Sequence, residues 1–389
     1  IAVIEGVMGL YDGRSGEDEA GSTAELAKVL GAPVVLVVDA SGMARSAAAM
    51  VLGYKNFDPA LRLGGVVLNN VASEGHYRLA AEPIERATGL PVLGYLPRGE
   101  DLTLPERHLG LVPMAEGPAS RDFFQRLAER VARCIDLDRL LAIAGDVQAA
   151  PCAQPALFPP APVPTRCAIA VAQDRAFSFY YQDNLDLLRA WGAEVAPFSP
   201  LADSALPSGV AGVYIGGGFP ELYAAELSAN EGMKASLHDA ARRGIPIYGE
   251  CGGLMYLGES IVDMEGRRHP MAGLVPARST MDRRRLTLGY RTVRARRATP
   301  LLQAGQEVRG HEFHWSVLEA LPAADAAAHD MLDQPGRVEG YCAGSVTATY
   351  VHLHFGARPV PSKAEGSKAE GTGLAPRFVE SCAGARVRA

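Results

Sequence analysis

The feature that most restricts the fold of this chain is the alternation of short valine-rich runs with amphipathic segments. In the first third of the chain the runs are 1–6, 34–40, 64–71 and 91–97, and the amphipathic segments between them lie near 22–30, 43–54 and 76–88. Runs that are apolar on both faces predict strands covered by helices on two sides, as in parallel βαβ units. We therefore expect an α/β fold built on a doubly wound parallel sheet, with IAVIEG as its first strand.

The same alternation begins again after a segment that is dense in proline and alanine, residues 146–165. Proline donates no backbone hydrogen bond and interrupts helices, so this segment predicts an extended linker. With 389 residues the chain is long enough for two domains, and we place them at 1–145 and 166–357. The tail over 358–389 contains SKAEGSKAEG, which has little to bury, so we predict that this tail is disordered.

The composition excludes several classes of function. A net charge of −6 is opposite to the basic surface of a nucleic-acid-binding protein, so no nucleic-acid partner is predicted. No apolar run reaches the roughly 20 residues that span a bilayer, so no membrane partner is predicted either. The six cysteines form no CxxC pair, which argues against a zinc site or a disulfide framework and favours a cytoplasmic location.

One cysteine lies at a sharp junction between a predicted strand and a predicted helix. The sequence IPIYGECGGLMYL places Cys251 in a Gly-x-Cys-x-Gly pattern. The glycines permit the tight turn that projects a nucleophile above a sheet, and the start of a helix favours a thiolate. We therefore predict that Cys251 is a nucleophile. The alternative is a buried structural cysteine between turn glycines.

Two further segments offer the groups that such a nucleophile requires. VYIGGGFPE ends a strand in glycines, and the backbone N–H groups of Gly217 and Gly218 could form an oxyanion hole. TATYVHLHFG is typical of one strand with two histidines on the same face. We predict His352 as the catalytic base, with His354 as the less favoured candidate. Glycines that only turn the chain, and histidines at a polar edge, are the alternatives.

These segments carry a resemblance to a known family. The glycine run, GECGG and YVHLHF together resemble a class I glutamine amidotransferase domain. SFYYQDNLDLL, GGGFPELYA and RGHEFHWS resemble the subgroup of cobyrinic acid a,c-diamide synthases and cobyric acid synthases. The resemblance implies that Cys251 attacks the side-chain amide of glutamine. Many amidotransferases have a glutamate two residues after the catalytic histidine, where this chain has His354, so we predict a Cys251–His352 dyad.

The N-terminal segment VIEGVMGLYDG resembles the ATP-using half of the same family, which belongs with the dethiobiotin-synthetase-like P-loop ligases. Carboxylates that follow parallel strands face the ligand crevice, and Mg²⁺ requires only one or two of them. We predict Glu5 as a metal ligand, and Glu5 and Asp12 as residues of ATP and Mg²⁺ binding and substrate activation. Asn69 is expected to contact the adenine edge. Simple turn residues are the alternative for Asp12 and Asn69.

The resemblance implies ATP-dependent amidation of the a and c acetate carboxylates of cobyrinic acid in cobalamin biosynthesis, with glutamine as the nitrogen donor. Its partners would be the small molecules cobyrinic acid, glutamine and ATP. A homodimer is a further possibility. The alternatives are the same chemistry on hydrogenobyrinic acid, a cobyric acid precursor or nickel sirohydrochlorin, a stand-alone thiol hydrolase, and a non-catalytic scaffold.

The phosphate-binding loop G-x-x-x-x-G-K-[ST] does not occur in this sequence. In the family that the chain resembles, this loop lies upstream of VIEG. We therefore expect that the first strand, the loop and the first helix are missing, and that residues 1–389 alone bind ATP poorly.

Overall fold

The computed structural model describes residues 1–99, 102–104, 106–107, 110–111, 117, 120–147, 157–319, 324–360 and 373–386. The chain divides into two compact units, Ile1–Ala153 and Gln154–Ala389. Within the described ranges, no helix is long and apolar enough to cross a membrane. The predicted linker lies partly outside these ranges, and its described residues 157–165 form neither helix nor strand.

The N-terminal unit contains a three-stranded parallel sheet with the order β1-β2-β3. In chain order its elements are α1 (Thr23–Leu30), β1 (Val34–Asp39), α2 (Arg45–Phe57), β2 (Leu63–Val71), α3 (Glu74–Thr88), β3 (Val92–Pro97), β4 (Glu106–Arg107), β5 (Gly110–Leu111), α4 (Arg121–Cys134) and α5 (Leu137–Gly145). Ser22 caps the start of α1, where its side chain accepts a hydrogen bond from the Glu25 N–H, and Gly31 caps the end in the left-handed conformation. The predicted helices, and the predicted strands from residue 34 onward, are confirmed here.

The first predicted strand, IAVIEG, is wrong. Residues 1–7 form no strand, and the side chain of Val3 is 95% exposed. In the described part of the chain β1 has one neighbouring strand, β2, and its Val37 is 63% exposed. A parallel strand is stable where a neighbouring strand and covering helices surround it, and IAVIEG has neither within the described residues. The apolar sequence of this segment was therefore not sufficient to predict a strand.

The C-terminal unit is built on a six-stranded sheet with the order β18-β19-β9-β8-β6-β7, parallel except for β18. In chain order its elements are β6 (Cys167–Ala172), α6 (Gln182–Ala190), β7 (Ala193–Phe198), β8 (Gly212–Ile215), α7 (Ala224–Ala229), α8 (Glu231–Arg242), β9 (Ile247–Glu250), α9 (Gly252–Leu257), β10 (Ser260–Val262), β11 (Arg268–Pro270), β12 (Arg278–Met281), β13 (Thr287–Ala295), β14 (Glu307–His314), β15 (Ser316–Leu318), β16 (His329–Met331), β17 (Val338–Glu339), β18 (Tyr341–Ala343), β19 (Val346–Thr349), β20 (His352–Leu353) and α10 (Leu374–Arg386). The α/β fold class predicted for both units is confirmed.

Two smaller sheets accompany the six-stranded one in the C-terminal unit. They have the orders β17-β16-β13-β14-β20 and β11-β10-β12-β15. Strand β9 lies between β19 and β8, so the segments that follow β8 and β9 leave the sheet side by side at its carboxyl edge. The next strand after β19 is β20, which pairs with β14 of another sheet. Residues from both sheets are thereby brought to one place.

The prediction of a disordered tail over 358–389 is wrong for residues 374–386. These residues form helix α10, which packs against α6 and β6. Leu374, Phe378 and Cys382 are fully buried in the core, and a side chain on Gly212 of β8 would collide with the Cys382 sulfur. The apolar face of α10 therefore has a partner that its composition did not show. The repeat SKAEGSKAEG lies outside the described residues.

Candidate active site

Cys251 occupies a strained turn between β9 and α9. Its φ of 51° and ψ of −100° lie outside the regions that residues other than glycine normally adopt. A Cβ on Gly253 would lie 2.0 Å from the Ile215 carbonyl oxygen, and a Cβ on Gly249 would lie 2.6 Å from Leu257 Cδ1. Only glycine therefore fits at position 253, and at position 249 a side chain would require the Leu257 side chain to move. This is the elbow that the Gly-x-Cys-x-Gly pattern predicts.

His352 lies at the start of β20 and is 3% exposed. Its Nδ1–H donates to Glu250 Oε1 at 3.0 Å, and the imidazole also hydrogen-bonds to the Cys251 sulfur. Burial lowers the pKa of His352, but the charge of the Cys251 thiolate, the hydrogen bond to it and the Glu250 carboxylate together raise that pKa to about 10. At neutral pH His352 is therefore an imidazolium beside the Cys251 sulfur. The structure thus brings together Cys251 and His352, as predicted.

A third member of the site is Glu250, the residue immediately before the nucleophile. Its carboxylate is 2% exposed and accepts from three donors: His352 Nδ1, the Tyr248 hydroxyl at 2.9 Å and the Leu353 N–H at 3.1 Å. The prediction of a Cys251–His352 dyad is therefore wrong as a description of the geometry. The carboxylate that orients the histidine comes from β9 instead of the position two residues after the histidine.

The two histidines of TATYVHLHFG are not on one strand. Strand β19 ends at Thr349, and β20 begins at His352 in a different sheet. The break is held by Glu339, whose carboxylate accepts from the Thr349 hydroxyl at 2.8 Å and from the Tyr350 N–H at 2.5 Å. The prediction that His352 and His354 share one face of a single strand is therefore wrong. At this point the buried Glu339 carboxylate accepts hydrogen bonds in place of a neighbouring strand.

His354 lies after β20 and has different surroundings from His352. Its side chain is 38% exposed, and its Nε2 lies 3.5 Å from Asp183 Oδ2. Its Nδ1 accepts a hydrogen bond from the Gly356 N–H at 3.2 Å. These contacts direct the ring toward α6. The geometry therefore favours His352 as the histidine of the site.

Gly217 and Gly218, the predicted oxyanion glycines, lie next to the elbow. A Cβ on Gly217 would be 2.8 Å from His352 Cε1, and a Cβ on Gly252 would be 3.1 Å from the Gly218 nitrogen. Gly218 also has no room for a side chain, because a Cβ there would lie 2.1 Å from the Ala176 carbonyl oxygen. Bare backbone therefore lines the space beside the thiol.

Aromatic side chains around His352 were not found by the sequence analysis. The His311 ring stacks on the His352 ring with a centroid distance of 4.8 Å, and Phe179 contacts it edge to face at 5.1 Å. His311 belongs to RGHEFHWS and Phe179 to SFYYQDNLDLL. Both segments contributed to the family resemblance, but the sequence analysis assigned no role to any residue in them. Glu250 likewise lay within GECGG. These motifs marked the three residues as part of a shared pattern. Their roles could not be predicted, because the residue that each one contacts lies elsewhere in the chain.

The N-terminal candidates Glu5, Asp12 and Asn69 do not form a comparable cluster. Glu5 is exposed in the segment without a strand, and the Asp12 N–H donates to the Gly9 carbonyl at 2.9 Å in a tight turn. Asn69 lies near the end of β2, opposite Asp39 of β1. Among the residues that the structure describes, no group of three or more His, Cys, Asp or Glu side chains is placed to hold a metal ion.

Comparison with known proteins finds matches for both halves of the chain. Residues 168–360 match the CobB/CobQ-like glutamine amidotransferase domain, and residues 1–106 match an AAA domain. Over 367 residues the chain is 50% identical to the cobyrinate a,c-diamide synthase of Dehalococcoides mccartyi strain CBDB1, an alignment that covers 92% of this chain and 79% of that relative. The chain belongs to the cobyrinate a,c-diamide synthase family.

Other members of the cobyrinate a,c-diamide synthase family are nearly as similar. The cobyrinate a,c-diamide synthase of Synechococcus sp. is 46% identical over 363 residues, which cover 92% of this chain and 78% of the relative. The hydrogenobyrinate a,c-diamide synthase of Streptomyces coelicolor is 44% identical over 415 residues, which cover 98% of this chain and 81% of the relative. The family predicted from the sequence motifs is confirmed.

Glu250→Gln is expected to lower kcat for glutamine hydrolysis in this family member by about 10²- to 10³-fold. The amide has the size of the carboxylate but lacks the charge that raises the pKa of His352, so this pKa falls below its native value of about 10. The measurements are glutamate release and titration of the His352 ring protons by NMR. Glu194→Gln, at an exposed position of β7, is the control and is expected to change neither. Native kcat and an unchanged His352 titration in Glu250→Gln would contradict the orienting role.

Proposed function

We propose that this chain hydrolyses glutamine at Cys251 and uses the ammonia to amidate the a and c acetate carboxylates of cobyrinic acid, with consumption of ATP, in cobalamin biosynthesis. The observation that carries the glutaminase half is the contact chain Cys251–His352–Glu250 at a strained elbow. The substrate rests on the names of the relatives, the first of which is 50% identical to this chain.

The glutaminase half-reaction follows from the positions of these side chains. The Cys251 sulfur attacks the carboxamide carbon of glutamine, and the resulting oxyanion accepts hydrogen bonds from the backbone N–H groups of Gly217 and Gly218. The His352 imidazolium donates its proton to the leaving nitrogen, so ammonia departs and a γ-glutamyl thioester remains. The neutral His352 then takes a proton from water, whose oxygen attacks the thioester. Glutamate leaves, and the thiolate–imidazolium pair is restored.

The N-terminal half supplies the activated carboxylate. ATP transfers its γ-phosphoryl group to an acetate carboxylate of the substrate, and ammonia then displaces phosphate from the acyl phosphate to give the amide. The AAA domain match over residues 1–106 supports the use of ATP. Glu5, Asp12 and Asn69 are the candidate contacts. Mg²⁺ needs only one or two protein carboxylates when it accompanies nucleotide phosphates, so Glu5 and Asp12 are its proposed ligands.

Hydrogenobyrinic acid is the nearest alternative substrate, because the Streptomyces coelicolor relative is named for it. The same amidation chemistry serves both acids, which differ in the presence of cobalt. A competition assay with both acids, ATP and glutamine separates them by the ratio of the two kcat/KM values. If kcat/KM is higher for hydrogenobyrinic acid, then hydrogenobyrinic acid becomes the proposed substrate in place of cobyrinic acid.

We propose a cytoplasmic location for this activity. The five cysteines within the described part of the chain are all free thiols, which is the usual state in a reducing compartment.

The nucleophile is tested by a glutamine analogue that carries an electrophilic carbon in place of the carboxamide. We expect this analogue to modify Cys251, one adduct per chain, because Cys251 has a histidine partner at the proposed glutamine site. Cys167 and Cys382 are 1% and 0% exposed in the apolar core, so they are expected to stay unmodified. The measurement is intact mass followed by peptide mapping, with Cys251→Ala as the control. Labelling of another cysteine while Cys251 stays free would overturn the assignment.

A further inference from the structure

Strand β14, which contains RGHEFHWS, contacts the segment that carries His352 at two points. His311 pairs directly with His352 in the β14–β20 ladder, and their rings stack at 4.8 Å with an interplanar angle of 15°. His314 stacks on Tyr350 at 3.9 Å with an angle of 12°. Both ends of the short segment from Tyr350 to His352 thus have a planar partner on β14. The glutaminase chemistry described above uses neither of these β14 side chains.

His311 is held as a neutral ring. Burial and then the nearby charge of His352 lower the pKa of His311 to about 4, against a weaker opposing effect of Glu250. A hydrogen bond of 3.2 Å joins its Nδ1 to the Tyr181 hydroxyl. Burial raises the pKa of Tyr181 to about 12, so this hydroxyl keeps its proton at neutral pH. A neutral ring beside the His352 imidazolium avoids like-charge repulsion and offers the cation a π face.

The stack supplies a constraint that the Glu250 hydrogen bond does not. The hydrogen bond at Nδ1 restrains one edge of the His352 ring, but the ring can still rotate over a limited range about its Cβ–Cγ bond. Such rotation would move the opposite nitrogen, Nε2, away from the Cys251 sulfur. A parallel ring at 4.8 Å opposes it, and the edge of Phe179 at 5.1 Å does so from a second direction.

We propose that His311 is a positioning residue for the glutaminase reaction, whose flat ring stacks on His352 and holds Nε2 in line with Cys251. This inference rests on the proposed roles of Cys251 and His352. It assigns a task to the histidine of RGHEFHWS, and it predicts that ring shape at this position matters more than side-chain volume. A misaligned base reduces the rate of the chemical step but leaves glutamine binding largely intact.

The test compares three substitutions in the 389-residue chain. His311→Ala is expected to lower kcat for glutamine hydrolysis by about 10- to 10²-fold with KM within about threefold of the native value. His311→Phe keeps a flat ring and is expected to recover most of the lost kcat, whereas His311→Leu fills the space without a plane and is expected to stay close to alanine. Phe313→Ala, on the same face of β14 and 38% exposed, is the control with native kcat. Native kcat in His311→Ala, or equal recovery by Leu and Phe, would overturn the proposal.

Two further measurements separate the ways in which this test can fail. Thermal unfolding is recorded for each variant, and if His311→Ala does not fold, the comparison of Phe with Leu decides alone because both fill the site. Cys251→Ala is assayed in parallel. Residual glutaminase activity in Cys251→Ala would contradict the proposed function itself. Loss of activity there, together with native kcat in His311→Ala, would contradict only the role of His311.

Discussion

Cys251→Ala is expected to abolish glutamine hydrolysis while the protein stays folded. Without the sulfur no thioester forms, and removal of the nucleophile from a Cys–His–carboxylate site costs about 10⁴- to 10⁶-fold in kcat. The change deletes one atom from a side chain at the end of β9, so the core around Leu254 and Met255 is otherwise kept. The measurement is glutamate released per chain under saturating glutamine, with circular dichroism to verify folding.

Cys342→Ala is the matched control for this experiment. Cys342 is also buried, but it lies on β18, and its thiol hydrogen-bonds weakly to the Ala298 carbonyl at 3.8 Å. We expect native kcat within about twofold, because its contacts are structural. A near-native rate in Cys251→Ala, or a loss confined to Cys342→Ala, would show that the nucleophile has been misassigned.

Cys251→Ala also has a consequence for the titration of His352. The thiolate charge and the hydrogen bond to the sulfur are two of the causes that raise the pKa of His352. Burial favours the neutral imidazole. When both of these causes are removed, fewer interactions remain to offset the effect of burial on the pKa of His352. The pKa of His352 is therefore expected to fall below about 10 in this variant. The glutaminase loss and this shift come from the same contact and should appear together.

The parts of the fold that follow from local sequence could be predicted. The runs 34–40, 64–71 and 91–97 became β1, β2 and β3 because each is a short run rich in the β-branched and apolar residues that favour strands. The elbow at Cys251 was also predictable, since the turn needs glycines at fixed neighbouring positions. In both cases the information lies within about ten residues of the feature.

Features that depend on distant partners could not be predicted. Glu250 meets His352 across 102 residues of sequence, so its adjacency to Cys251 indicated nothing about its role. The break after Thr349 depends on the buried carboxylate of Glu339, which is close in sequence but lies on β17 of a different sheet. Helix α10 is stabilised by burial against strands formed about 200 residues earlier, and its sequence follows a repeat that suggested disorder. Tertiary packing decided each of these cases.

His352→Ala is expected to remove glutaminase activity, whereas His354→Ala is expected to keep a substantial fraction of it. His352 contacts both the Cys251 sulfur and Glu250, and loss of the proton donor for the leaving ammonia costs about 10³- to 10⁴-fold in kcat. His354 is 38% exposed, and its ring contacts Asp183, Gly356 and the ring of Tyr181 at 5.5 Å. The measurement is kcat for glutamine hydrolysis in both variants, prepared in parallel.

His352→Gln addresses the structural cost of the alanine variant. His352→Ala leaves the buried Glu250 carboxylate without its histidine partner, which can destabilise the fold by itself. The glutamine amide can still donate a hydrogen bond to Glu250, but it cannot carry a proton to a leaving group. We therefore expect His352→Gln to unfold at nearly the native temperature and yet to be as inactive as His352→Ala. Activity that survives in His352→Gln and disappears in His354→Ala would reverse the assignment of the two histidines. The proton donor would then have to reach Cys251 from the α6 side of the site, where Asp183 lies beside His354.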